Sequence, residues 1–225
     1  MSITWLIFET MGTIAFAFSG AMTGLSRRMD VFGVTVLAVM TGIGGGMIRD
    51  VLAGITPPSA LRSPTGLLLS IATALAVSLL YEFVPISRRS KQWIAMLYTV
   101  SDTCGLAAFT VTGALTSLYA HPEEQYVMPV MLGLITAIGG GIIRDMMAQR
   151  VPLVLRTDVY ALASIAGSLA VCAAWQLLSV TAASWIGFIL VLLLRAAAIF
   201  FHWQLYHPHP GFHKKVRFPR DGTPS

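Results

Sequence analysis

The chain has 225 residues, 56% hydrophobic and only 11% charged, with a formal net charge of +5, an isoelectric point of about 9.6 and a mean hydropathy of +0.74. A soluble domain commonly has about a quarter of its residues charged, so this composition excludes one and points to lipid. The basic excess sits in short clusters between apolar runs with no nucleic-acid motif beside it, so it reports topology and anionic headgroups; a nucleic-acid partner is not expected.

Roughly twenty apolar residues cross a bilayer as a helix, and seven segments qualify: 4–25, 31–53, 66–85, 92–119, 126–148, 158–179 and 183–205. Helices are the expected form because they satisfy their own backbone in lipid. The first segment carries Glu9, exceeds a signal-peptide core in length and has no basic run before it, so it reads as a retained span. The second and fifth each hold three consecutive glycines followed by an Arg–Asp pair. Cys104 and Cys172 lie inside apolar runs and read as small hydrophobes, not as a disulfide or metal site. The last span holds Arg195. A basic tail follows, whose His207, His209 and His213 read as solvated side chains. Trp5, Trp93, Trp175, Trp185 and Trp203 fall near span ends, as an aromatic belt requires.

The positions of Lys and Arg give the orientation. With the N-terminus outside, the inner side holds twelve: Arg27, Arg28, Arg88, Arg89, Lys91, Arg144, Arg150, Arg156, Lys214, Lys215, Arg217 and Arg220. The outer side holds Arg49 and Arg62. This positive-inside bias predicts an outer N-terminus and a cytoplasmic C-terminus.

Comparing the chain with itself reveals a repeat. GIGGGMIRD at 42–50 recurs as AIGGGIIRD at 137–145, 95 residues on, and Pro57 recurs as Pro152. Gly12, Phe16, Gly20 and Ala21 match Gly105, Phe109, Gly113 and Ala114 at a spacing of 93, which also carries Glu9 onto Asp102. LRS at 61–63 matches LRT at 155–157. Each copy holds three spans, an odd number, so the second must be inverted in the membrane. The expectation is an all-α integral membrane protein with seven transmembrane helices. Residues 1–90 form the first three-helix repeat, 91–180 the second, inverted repeat, 181–206 the seventh helix and 207–225 a cytoplasmic basic tail.

Glycine in a helix interior costs about 1 kcal/mol relative to Ala. Gly44, Gly45 and Gly46, with Gly139, Gly140 and Gly141, are therefore expected to bend or break their helices near the midplane, freeing carbonyls along a wet path. Close helix packing is the competing reading, because Gly42 and Gly46 also fit a small-xxx-small pattern. Ionisable residues inside spans are expensive and functional by default. Glu9 and Arg49 come to similar depth at one face, and Asp102 and Arg144 at the other, which predicts two symmetric ion pairs at the mouths. Asp50 and Asp145 would then be left to influence passing cations. Arg195 has no acid at helical spacing in its own span and should face protein or water beside the path. Pro57 and Pro152 are expected to end their helices. Walker, HExxH and GxSxG motifs are missing, and the inverted topology separates Asp50 from Asp145, so neither an enzyme nor a cofactor is expected.

Two GGGxxRD motifs, GGGMIRD at 44–50 and GGGIIRD at 139–145, three spans apart in a seven-span chain, resemble the bacterial branch of the trimeric intracellular cation (TRIC) channel family. The resemblance covers residues 4–205. It implies a homotrimer in the bacterial inner membrane, each subunit with its own pore lined by two kinked helices, passing potassium and also sodium. Met47-Ile48-Arg49 stands where animal members carry Lys-Glu-Val, so their phosphoinositide binding is not implied here. Bacterial relatives are also labelled as glycine transporters. A cation channel is the expected function, since seven spans leave no separate moving domain; a carrier of glycine or another small amino acid is the alternative, and a lipid-binding scaffold a weaker third reading.

Overall fold

The computed structural model describes residues 2–83, 88–156, 159–201 and 203. The tail at 207–225, with its histidines and basic residues, lies outside them, as do the side chains of Arg88, Arg89 and Lys91. Among the described residues the α-helices are α1 (Ile3–Ser26), α2 (Val31–Leu52), a four-residue α3 (Ser59–Arg62), α4 (Thr65–Glu82), α5 (Arg88–Ala120), α6 (Val127–Met147), α7 (Val159–Trp175) and α8 (Val180–Phe200). Six are long and apolar enough to cross a membrane, and α7 is a shorter apolar helix of 17 residues. A 3-10 turn at Leu153–Leu155 follows α6 as α3 follows α2.

Side-chain caps mark several helix starts. Ser2 accepts from the Trp5 amide at 3.2 Å, Asp30 from Gly33 at 2.7 Å and Ser179 from Ala182 at 3.3 Å, each satisfying one of the orphan amides of a first turn. The ends of α2 and α6 correct the proline expectation. Both helices stop five residues before Pro57 and Pro152, at a left-handed residue: Gly54 (φ 73°) after α2 and Gln149 (φ 51°) after α6. The Gly54 amide donates to Val51 at 3.1 Å and Ile55 to Asp50 at 2.8 Å; Gln149 donates to Met146 at 3.0 Å and Arg150 to Asp145 at 2.8 Å. These are Schellman caps, which satisfy the last carbonyls before the chain reaches proline.

The glycine triplets do not break their helices. α2 runs continuously through Gly44–Gly46 and α6 through Gly139–Gly141. The triplets instead pack closely against the facing helix, and the reason is steric. A methyl on Gly45 would run into the Thr136 carbonyl, and one on Gly140 into the Thr41 carbonyl. Gly139 packs against the Gly45 backbone, its notional β-carbon 3.3 Å from that α-carbon. The missing side chains let α2 and α6 cross backbone to backbone, and the close packing of that crossing offsets the low helix propensity of glycine.

α1 packs on α2, α4 and α5, and α5 on α6, α7 and α8. The packing occurs in reciprocal pairs. Gly12 makes room for the Phe109 ring and Gly105 for the Phe16 ring; these two rings meet edge-on, centroids 5.2 Å apart. Gly20 lies against Ala38 and Thr41, while Gly113 lies against Gly133 and Thr136. Each pair is the same juxtaposition displaced by 93 to 95 residues. Outside, Leu68, Leu79 and Leu193 are exposed, as lipid-facing side chains should be. Trp5 departs from the belt expectation: it is buried, and its indole donates to Thr116 at 3.0 Å.

Candidate functional site: two buried acid–arginine clusters

The first cluster forms where the end of α2 meets the start of α1. Arg49 is 1% exposed. Its Nη1 donates to Glu9 Oε2 at 2.7 Å and to Thr112 Oγ1 at 3.3 Å, Nη2 to Glu9 Oε1 at 3.2 Å, and Nε to Asp50 Oδ1 at 2.9 Å. The Trp5 ring covers the guanidinium at 5.1 Å. The other Asp50 oxygen accepts from the Ser59 amide at 2.7 Å and the Ser59 hydroxyl at 2.5 Å.

The second cluster repeats the first. Arg144, fully buried, donates through Nη1 to Asp102 Oδ1 and to Ser19 Oγ. Its Nε donates to Asp145 Oδ1 at 2.9 Å and its Nη2 to Asp145 Oδ2 at 3.1 Å. That Asp145 oxygen also accepts from the Leu153 amide at 2.9 Å, and the Tyr98 ring covers Arg144 at 5.2 Å. Ser19 and Thr112 are themselves 93 residues apart. Each arginine therefore bonds an acid of its own repeat and a hydroxyl of the other. A planar fork of five donors suits such multiple acceptors, and its charge is tolerable in a dry site only because it is paired.

Glu9 thus meets Arg49, and Asp102 meets Arg144, in the pairs that charge and depth predict. Asp50 and Asp145 are not left free, contrary to the expectation from sequence. Both oxygens of each are occupied, and each carboxylate ties its arginine to the segment after the helix. Arg195 is 5% exposed and reaches no carboxylate within ion-pair distance among the described residues. It stacks instead over the Tyr160 ring at 4.8 Å, a cation–π arrangement that gives a buried charge some compensation. Sequence reasoning does not single out Ser59, Thr112, Ser19, Tyr98 or Tyr160, and it assigns Trp5 to the belt. The 93-residue spacing is the signal that could have flagged the Trp5–Tyr98 and Ser19–Thr112 pairs.

A cavity of about 140 Å³ opens beside the first cluster, walled by Glu9, Arg49, Asp50, Gly46, Ser59 and Gly66 among others. It is large enough for several waters or a partly hydrated ion. Each cluster combines two carboxylates with one guanidinium, so each carries a formal charge of −1 and favours cations. Of the two acids that wall the cavity, Glu9, its side chain 21% exposed, is the more open.

Fold and clusters together define a helical, multi-pass membrane protein with two equivalent ionic centres, one of them opening into a water-sized cavity. The family model described as Glycine transporter matches the chain twice, over residues 6–82 and 99–176. The UPF0126 inner membrane protein YadS of Escherichia coli K12 is 38% identical over 207 residues, 91% of this chain and 95% of that one. A prokaryotic TRIC channel crystallised in 0.5 M KCl is similar at TM-score 0.82 and 30% identity, over 91% of this chain and 100% of the other. A structure described for conductance through TRIC cation channels matches at TM-score 0.75 and 33% identity, over 90% and 96%. The chain belongs to the bacterial TRIC family and itself matches the Glycine transporter model.

Proposed function

We propose that this protein is a monovalent cation channel of the bacterial inner membrane, passing potassium and also sodium, with one path in each subunit of a homotrimer. The observation that carries the reading is the cavity beside Glu9, Arg49 and Asp50: a space with a largely apolar wall that meets a net negative centre on one side. Fixed carboxylates lining a narrow path favour cations and repel anions. The relation to TRIC cation channels supports the same class.

The path runs from this cavity along the α2–α6 crossing, past Gly44–Gly46 and Gly139–Gly141, towards Asp102, Arg144 and Asp145. The two repeats stand inverted, with the N-terminus outside, the C-terminus cytoplasmic and seven spans in all. At the crossing the glycine backbones touch, so conduction requires α2 and α6 to part. Arg49 and Arg144, tied on several sides, act as fixed charges rather than as mobile plugs.

The test is a planar bilayer holding purified protein between asymmetric KCl solutions. Discrete openings that reverse near the potassium equilibrium potential are expected, with Glu9→Gln shifting the reversal towards zero. Silent bilayers combined with saturable uptake of labelled glycine into proteoliposomes would replace the channel by a carrier.

A further inference from the structure

The two repeats differ at one place where their clusters are otherwise matched. α4 begins at Thr65 and α7 at Val159, 94 residues on, and the same spacing sets Tyr160 opposite Gly66. In the first repeat Gly66 borders the open cavity together with Gly46. In the second, the counterpart of Gly46 is Gly141, and a β-carbon there would lie 3.6 Å from the Tyr160 hydroxyl. A phenol ring thus stands where the first repeat has open space. It is 1% exposed, and Arg195 of α8 covers its face at 4.8 Å.

The Tyr160 hydroxyl lies by the Asp102 carboxylate, whose Oδ2 no other described residue bonds. Thr103, counterpart of the cavity-lining Thr10, has a buried hydroxyl without a partner among the described residues. The ring therefore occupies a space walled by the same polar positions that line the open cavity of the first repeat.

We infer that Tyr160, held down by Arg195, is a plug that closes the half-path of the second repeat, and that removing its ring uncovers a cavity equivalent to the one beside Glu9. The closure is made by one side chain, so opening of the wild-type path requires that ring to swing aside as well as α2 and α6 to part. The existence of the plug stands on geometry; its effect on current rests on the channel reading.

Thiol accessibility tests the plug separately from conduction. In a background lacking Cys104 and Cys172, Thr10→Cys and Thr103→Cys would each be treated in detergent with a charged, water-soluble methanethiosulfonate reagent. The thiol at position 10 should react readily, and that at 103 at least tenfold more slowly. Adding Tyr160→Gly should bring the rate at 103 to within a few-fold of that at 10, while an unchanged rate at 10 shows that the fold survives. The reciprocal Gly66→Tyr should slow the reaction at 10. A rate at 103 that is already fast, or that Tyr160→Gly leaves unaltered, overturns the plug. In bilayers, Tyr160→Gly should raise unitary conductance or opening frequency. Greater accessibility with no current from either protein would retain the plug and reject the channel.

Discussion

Each of the two arginines is held by several groups, but not equally deeply. Glu9 has a side chain 21% exposed, whereas Asp102 is 1% exposed and faces an arginine with no exposure at all. Asp102→Asn leaves Arg144 paired with Asp145 but weakens a fully buried charge-assisted bond, for which the cost of breaking a buried pair, about 3–5 kcal/mol, is an upper bound. A hydrogen bond to a charged group near water is worth about 1.5–3 kcal/mol. Asp102→Asn should therefore lower the thermal unfolding temperature in detergent more than Glu9→Gln; the opposite order would show that the second cluster is wetter than its burial implies. Arg144→Lys should behave nearly as badly as Asp102→Asn, because an ammonium cannot span Asp102, Asp145 and Ser19 at once. The pairs Glu9–Arg49 and Asp102–Arg144 were legible in sequence because a charge inside an apolar run needs a partner at its own depth. The occupancy of Asp50 and Asp145 was not, because the Ser59 and Leu153 amides come from loops whose return to the helix end leaves no periodic signal.

At the scale of the helix, the glycine triplets show where propensity misleads. Weak helix formers in a row predict a break, but propensity is a small term that a close crossing outweighs. What decides is the atom each glycine faces, and the sequence does not reveal that. Gly140→Ala is therefore expected to lower the unfolding temperature sharply, since its methyl would meet the Thr41 carbonyl and not a movable side chain. The Schellman caps give a prediction of opposite sign. Gln149 sits at φ 51°, and a left-handed conformation costs a non-glycine residue about 1–2 kcal/mol. Gln149→Gly should thus raise the unfolding temperature by a few degrees, whereas Gly54→Ala should lower it. Helix starts and spans were readable from caps and apolar runs. The segments 31–53 and 126–148 end within a residue of α2 and α6, but their stop was misassigned, because proline, the conspicuous breaker, lies beyond the residue that turns the chain.

For the whole molecule, the positive-inside count predicts that a green fluorescent protein fused to the C-terminus fluoresces in the cytoplasm, while an alkaline phosphatase fused there stays inactive. The reverse result would invert the assignment of outer and inner mouths. Asymmetry between the surroundings of the two clusters follows from Gly66 and Tyr160. A sequence comparison finds the repeat but passes over the position where the copies disagree, since mismatches carry no signal until a structure shows what they face. The reciprocal bonds have a further implication. Arg49 reaches Thr112 in the other half and Arg144 reaches Ser19, while Phe16 and Phe109 each fill the notch left by the other half's glycine. Each half pairs its own arginine's charge but draws one further acceptor, a hydroxyl, from the other half. A polypeptide of half this length could make the same bonds only by pairing with a second copy of itself, so the present chain has the form of such a pair fused end to end.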